Sequence, residues 1–406
     1  MPNALVYSPG FDGHRQVYVF VIVHVLKELG YKINIATNEN QILTNSFYIE
    51  TIKKDPEIRI INTGSYPKGG LDITFQDFIG LQNECKSNLT VFAEADHHFS
   101  LFISQLFNKK KKFIGRTVGI FMRPFYYYRK SGVLDKLRFL KHFPSRWRND
   151  EQLSYGLFLS KFSSLDVALC IDEYFVARHQ SFTWLPDVFQ QFADLIVKNE
   201  KSDQRVWIEK LKKFKEKNQD RFLFFYFGTA QFRRGYDILL KMAIDNEGCF
   251  IHCGLRNDDK KYIYDVNSLR LSLMQKGCLF ETDEYIEDPI CIEYFFRSVS
   301  HLVLPYRNYF GSSGVMLQAL EFGIPVLAPK NGIIGHRIKN FGLGFTYDGN
   351  DNSSLKNQFA TFRNQDFKNF EEDIRTYMNF QTTDQLKKVL ISTFTGNSQP
   401  VLQPYF

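Results

Sequence analysis

The stretch VLPYRNYFGSSGVMLQALEFGIPVLAPKNGIIG, residues 303–335, leaves this chain few folds to choose from. It reads as a short apolar strand, a glycine and serine loop opening a helix, a glycine stop at Gly323, a second apolar strand and a loop ending at Gly335. Strand, helix and strand in that order imply a crossover between parallel neighbours. Gly311, Ser312, Ser313 and Gly314 stand where the helix dipole is positive. Free N–H groups and small hydroxyls at such a place suit a phosphate-bearing ligand. A turn that only packs is the other reading of the same spacing.

The alternation runs through the whole chain. Strands are predicted at 4–7, 32–36, 59–62, 89–93, 113–121, 167–171 and 183–185, with helical patterns between most of them. After a charged segment at 198–217, a second cycle opens with RFLFFYFG at 221–228 and continues at 250–253, 278–280, 301–304 and 325–328. Two such cycles predict an α/β protein with two doubly wound parallel sheets. The length of 406 residues agrees, since a domain takes about 100–200. VYVFVIVHVL at 17–26 is the most apolar run, yet it is too short to span a bilayer and contains His24. It follows a strand and a loop and ends at Gly30, so it is predicted as a buried helix. Helical patterns at 366–380 and 384–393 close the chain.

Composition narrows the class. The apolar share of 44% is that of a globular protein, with an unusual 41 Phe and 21 Tyr. The N-terminus MPNALVYSPG begins as a strand, with no basic leader or small-residue cleavage site. Six cysteines are scattered without a CxxC pair or zinc spacing, which predicts a reducing, cytoplasmic setting. Cys249 and Cys253, four apart, are expected on one face of a strand as buried small hydrophobes.

A second loop supports the first. FGTAQFRRGYDILLKMA at 227–243 places a strand end, a polar loop and two arginines before an amphipathic helix with Ile238, Leu239 and Met242 inward. Together these segments resemble the donor site of family-four glycosyltransferases, in which a glycine loop leads into a helix that ends in a Gly-x-Pro-Val turn. Here that turn is Gly323, Ile324, Pro325, Val326. The resemblance implies the GT-B fold, two Rossmann-like domains facing across a cleft. It implies an acceptor domain at 1–187, a nucleotide-sugar domain at 188–375 and a helical tail at 376–406 crossing back to the first domain.

In that family a Gly-Arg-Leu, three residues, Lys-Gly loop holds the donor diphosphate with two cations. Gly228 matches its first glycine and Gly235 its last, so Arg234 falls on the lysine and Thr229 on the arginine. Arg233 is the candidate for the second charge, because a guanidinium fork pairs well with phosphate oxygens. The family also pairs two glutamates eight positions apart, and those positions here are Phe310 and Gln318. Gln318 can hydrogen-bond a ribose; Phe310 cannot grip a sugar. Asn308, Ser312 and Ser313 are candidate replacements, and Glu321 reads as a helix-face charge. No DxD triplet follows an apolar strand, so phosphate charge is expected to meet Arg234 and backbone N–H groups with no metal and no required cofactor.

Further candidates lie at other strand ends. Tyr285 or Phe280 can stack on a base or belong to the core. GFDGH at 10–14 matches the family's first glycine loop, making Asp12, Gly13 and His14 candidates for substrate contacts. EADHHF at 94–99 gathers two carboxylates and two imidazoles, and Asp96 and His97 are the catalytic candidates. Helix capping or plain exposure is the competing reading for His97 and His98. Arg123 is a candidate for an anionic acceptor or phosphate. The net charge of +7 concentrates in 109–148, which either lies on an anionic membrane or forms solvated helix faces. No nucleic-acid module accompanies it.

The resemblance implies a retaining glycosyltransferase, cytoplasmic or peripheral at the inner face of the cell membrane. It would move a sugar from a UDP- or GDP-linked donor to a glycan or lipid-linked acceptor. A nucleotide-sugar epimerase of the same architecture and a non-catalytic binding protein remain open, the first needing acidic groups such as Glu94 and Asp96.

Overall fold

A computed structural model describes residues 1–8, 10, 14–38, 47–64, 73–98, 101–102, 105, 112–122, 165–188, 203–256, 260–286, 288–309, 311–349, 351–397 and 404. The chain divides into two compact units: Met1–Gln191 with Phe380–Phe406, and Phe192–Asn379.

Among the described residues, unit 1 is built on seven parallel strands: β1 (Asn3–Tyr7), β2 (Lys32–Thr37), β3 (Ile58–Asn62), β4 (Leu89–Phe92), β5 (Arg116–Phe121), β6 (Val167–Cys170) and β7 (Phe182–Trp184). Their order in the sheet is 3-2-1-4-5-6-7. The described helices among them are α1 (His14–Glu28), α2 (Phe47–Lys53), α3 (Phe75–Glu84) and α4 (Glu173–Val176). The apolar run at 17–26 is indeed helical, and every one of its residues except His24 is buried. A strand there was excluded by context alone, because its composition is strand-like. Tyr18 turns its polar tip to Pro186 O at 3.1 Å and Asp187 Oδ1 at 3.3 Å, which lets a phenol sit in a dry place.

β5 begins three residues later than its composition predicts. Gly115 has φ +67°, and a Cβ there would stand 2.4 Å from Asn88 O. The chain turns where Asn88 crosses it, and only then enters the sheet.

Among the described residues, unit 2 holds six strands in two three-stranded parallel sheets. One has the order β10-β9-β8, from β8 (Leu223–Phe227), β9 (Cys249–Cys253) and β10 (Leu279–Glu281). The other has the order β11-β12-β13, from β11 (Leu302–Val303), β12 (Val326–Pro329) and β13 (Gly344–Tyr347). One core runs beneath both, with Phe224, Phe250, Val303, Leu327 and Tyr347 among its members. The helices are α5 (Val206–Lys217), α6 (Tyr236–Asp245), α7 (Lys260–Gln275), α8 (Pro289–Phe296), α9 (Gly314–Glu321), α10 (Gly332–Phe341), α11 (Asn352–Phe362) and α12 (Glu371–Phe380). A last helix, α13 (Thr383–Thr395), belongs to unit 1, where Lys387 Nζ lies 3.1 Å from Glu28 on α1.

Two expectations are corrected here. The segment before Gly335 is not a loop, because α10 already starts at Gly332. Gly335 is needed inside that helix, since a Cβ would fall 2.2 Å from the backbone of Lys330 at the end of β12. The helix predicted from 366 opens instead as a 3-10 turn, Phe367–Phe370, capped by Asp366 onto Lys368 N at 3.0 Å. All six cysteines are free and buried, Cys249 and Cys253 among them.

Candidate functional site

β8 delivers its last residue into a tightly folded loop. Gly228 has φ +102° and donates its N–H to Cys253 O at 2.9 Å, at the end of β9. Gly254 must be glycine beneath it, because a Cβ there would lie 2.4 Å from Gly228 O. Tyr226 holds the loop from below, its hydroxyl donating to Thr229 O at 2.8 Å and accepting from Gln231 N at 3.1 Å. A 3-10 turn, Phe232–Arg234, then leads through Gly235 at φ +71° into α6. The turn folds Arg234 back over the loop's start, so that a Cβ on Gly228 would be 2.9 Å from its Nη1.

Arg234 is half-buried and has no ion-pair partner among the described residues. Burial alone would lower the pKa of its guanidinium, but the Tyr306, Tyr226, Tyr309 and Tyr285 phenols around it raise it on balance. It lines a small cleft with Tyr226, Phe227, Leu304, Tyr306 and Val315. A desolvated cation with phenols for neighbours and no carboxylate partner among the described residues can pair with an anion. Arg233 is exposed; its Nε donates to Gln231 Oε1 at 3.0 Å and its guanidinium lies 5.8 Å from the Tyr309 ring. Thr229 brings no charge.

The loop after β11 is fastened to this one. Arg307 donates its backbone N–H to Arg233 O at 2.9 Å and its Nη1 to Phe232 O at 2.6 Å. Its guanidinium then forks onto both carboxylate oxygens of Asp237, at 2.8 and 2.7 Å. Asp237 is partly buried, which would raise its pKa, yet the Arg307 fork holds its carboxyl below the usual range. At the other end, Gly235 presses on Pro305, where a Cβ would stand 2.1 Å from the carbonyl oxygen. Arg307 carried no sequence signal, because its partner is 70 positions away. Asn308, exposed at φ +47°, is the turn residue that the left-handed conformation favours.

The Gly311–Gly314 segment is held from several sides. Ser313 is buried and caps α9, its Oγ accepting from Met316 N at 3.2 Å and lying 3.0 Å from the Tyr306 hydroxyl. Ser312 Oγ accepts from Nη1 of the fully buried Arg337 at 3.0 Å, and Tyr309 donates to Ser312 O at 2.6 Å. Gly311 and Gly314 are half-buried. Gln318 is 1% exposed, its Oε1 buried with no hydrogen-bond partner among the described residues. Phe310 lies outside the described residues. Glu321 is more than a solvated face: burial, with Glu293 nearby, pushes its carboxyl up to about 7, and its Oε2 is buried without a hydrogen-bond partner among the described residues. Phe280 belongs to the core, packed on Trp207 and Phe214, whereas Tyr285 is exposed.

In unit 1 the cluster after β4 turns inward. Asp96 is 3% exposed, and its Oδ2 accepts the amide of Met122 at 2.7 Å, splicing the ends of β4 and β5. Glu94 is buried as well. His98 is buried, not exposed, with its ring edge-on to Tyr7 at 4.9 Å, and its carbonyl accepts from Leu101 N at 3.0 Å and Phe102 N at 3.2 Å at the start of the next helical turn. His97 ends the short turn Ala95–His97, and His14 begins α1. Asp12, Gly13, Arg123 and most of the basic segment 109–148 lie outside the described residues. No helix among the described residues is long and apolar enough to cross a membrane.

No protein-family model and no curated protein matches the sequence. Solved structures do match it over its full length. Anabaena HepE, in complex with UDP and glucose, is 12% identical with a TM-score of 0.64, covering 98% of this chain and 100% of that one. Sucrose-phosphate synthase from Thermosynechococcus elongatus is 12% identical with a TM-score of 0.63, covering 98% of each chain. WaaG, a glycosyltransferase involved in lipopolysaccharide biosynthesis, is 15% identical with a TM-score of 0.59, covering 97% of this chain and 100% of its own.

The fold is GT-B. Within a GT-B chain, the loops at Gly228 and Gly311 stand at carboxyl ends of parallel strands of one unit, where α/β sheets bind ligands.

Proposed function

We propose that unit 2 binds the diphosphate of a UDP- or GDP-linked sugar and that the protein transfers the sugar to a glycan or lipid-linked acceptor. The observation that carries this reading is Arg234: a half-buried guanidinium with no carboxylate partner among the described residues, folded over Gly228 and beside the loop that opens α9. A GT-B fold shared with a structure in complex with UDP and glucose supports it.

In this proposal Arg234 neutralises charge on the leaving diphosphate, Arg233 adds a solvent-side cation, and the Gly311–Gly314 segment supplies backbone N–H groups. Arg307 contributes by fixing the two loops to each other and leaves its own charge with Asp237. Retention of anomeric configuration follows from the resemblance. The acceptor would attack from the face that the diphosphate leaves, with a phosphate oxygen helping to take its proton. No catalytic work is proposed for Asp96, whose carboxylate is engaged in the sheet.

Gln318 favours a second reading, a binding protein without turnover, because an amide stands where the resembled family carries a carboxylate. A panel of UDP- and GDP-sugars, read by thermal shift and then by nucleotide release with and without a lipid extract, separates the two. Release only with acceptor supports transfer; binding without release supports the second reading; no shift with any nucleotide sinks both.

A further inference from the structure

A buried polar hub lies beneath the Gly228–Gly235 loop, and nothing in the proposed chemistry uses it. Its centre is Glu281, at the end of β10 with 8% of its side chain exposed. Arg270 of α7, also 8% exposed, grips both carboxylate oxygens, with Nε at 2.9 Å from Oε1 and Nη2 on Oε2. Tyr236 and His252, both wholly buried, complete the shell. The Tyr236 hydroxyl donates to Glu281 Oε1 at 3.2 Å, and His252 Nδ1 lies 3.7 Å from the same oxygen. Burial would raise the Glu281 pKa, but His252 and Arg270 hold its carboxyl down at about 2.

The two outer members of this shell touch opposite ends of one loop. His252 sits in register with Glu281 on one side and with Tyr226 on the other. Its Nε2 is 3.0 Å from Gly228 O, and a carbonyl can only accept, so Nε2 carries the hydrogen and donates it. That bond fixes the peptide over which Arg234 folds. Tyr236 is the first residue of α6, directly after Gly235, so its bond to Glu281 fixes the loop's exit. A hydrophobic core could support the same strands without desolvating four polar side chains. Here the His252 and Tyr236 bonds fall where the loop enters and leaves.

We infer that His252, in register beside Glu281, and Tyr236, held by the Glu281 carboxylate that Arg270 grips, are positioning residues that pin the Gly228–Gly235 loop at both ends and so set the Arg234 guanidinium in place for the nucleotide diphosphate. This rests on the nucleotide reading given above. His252→Leu removes the donor to Gly228 O, and His252→Gln restores an N–H near the Nε2 position. Tyr236→Phe removes only a hydroxyl and reports even if the leucine variant does not fold.

The test measures UDP and GDP binding by calorimetry, donor KM and kcat where turnover is found, and amide hydrogen exchange of the unliganded proteins. Losing one buried hydrogen bond of the loop is expected to weaken UDP binding by about tenfold in His252→Leu, with glutamine recovering most of it. The loss should fall on KM more than on kcat, and exchange should quicken at residues 228–236 while β12 and β13 keep wild-type rates. Wild-type affinity in the leucine variant overturns the inference, as does a glutamine variant no better than leucine. Tyr236→Phe with wild-type affinity and exchange overturns the pin at the loop's exit. If the wild-type protein binds neither nucleotide, the nucleotide reading falls and with it the role toward Arg234. Exchange then decides the pinning alone: faster loop exchange in the variants upholds it, and unchanged exchange overturns it.

Discussion

Two groups of charge stand at the carboxyl ends of parallel strands, one in each unit, and both are candidate sites in the sequence. After β4, Glu94 and Asp96 turn inward, and Asp96 binds the amide of Met122 on the neighbouring strand end. After β8, Arg234 stays half-buried with no carboxylate partner among the described residues, while Arg307, two residues past Pro305, is engaged by Asp237 and by the carbonyl of Phe232. A charge whose bonds are made within the fold maintains the fold. A desolvated charge without an opposite partner has binding energy left for a ligand.

That contrast can be broken most directly at Arg234. Arg234→Ala should weaken UDP binding about a hundredfold, near the ~3 kcal/mol of a charge-assisted pair, with little change in melting temperature. Calorimetry on the variant checks this, and equal affinity would erase the difference between the two clusters. Buried carboxylates in unit 2 repeat the contrast with opposite signs. Glu281, satisfied and held at about 2 against an ordinary 4.5, stabilises fully above pH 4.5 and loses that contribution as pH falls toward 2. Its share is on the order of 3 kcal/mol, and urea melts between pH 5 and 2.5 should show it, flattened in Glu281→Gln.

Glu321, pushed up to about 7 by burial and Glu293, costs stability as pH rises from 4.5 through 7. Glu321→Gln is therefore expected to be stabilising at pH 8 by up to about 3 kcal/mol and near neutral at pH 4. Parallel melts at the two pH values decide it; an equal effect at both would mean that the carboxyl is not titrating. The smallest effect is expected at Asp96→Asn, which keeps an oxygen for Met122 N and should cost about 1 kcal/mol with no change in nucleotide affinity or turnover. Abolished turnover in a stable Asp96→Asn protein would return the cluster after β4 to catalysis and reverse the comparison.

The fold was readable because strand and helix periodicities alternate over the whole chain, and the buried α1 was separable from a strand by the loop before it and Gly30 after it. β13 escaped notice: it is four residues long and starts at Gly344, whose Cβ would meet Val326 O at 2.1 Å. Its place depends on close backbone approach, which leaves no apolar pattern. The site was readable only as far as its glycines and arginines. What arranges them, Arg307 with Asp237 and His252 with Gly228, is pairing across 70 and 24 positions between residues that look ordinary locally. Polar residues were also easier to locate than to interpret: Asp96 and Arg234 share a type of position, and their partners alone tell them apart.

The fastening of one loop to the other by Arg307 bears on how such a protein can change. Removing one residue between Pro305 and Ser313 would drag Arg307 away from the carbonyls of Phe232 and Arg233 and from Asp237 together, so the shift would appear in a segment more than sixty positions upstream. The lengths of the two segments are thereby coupled, and a donor loop transplanted from another protein of this fold should be accepted only when its companion travels with it.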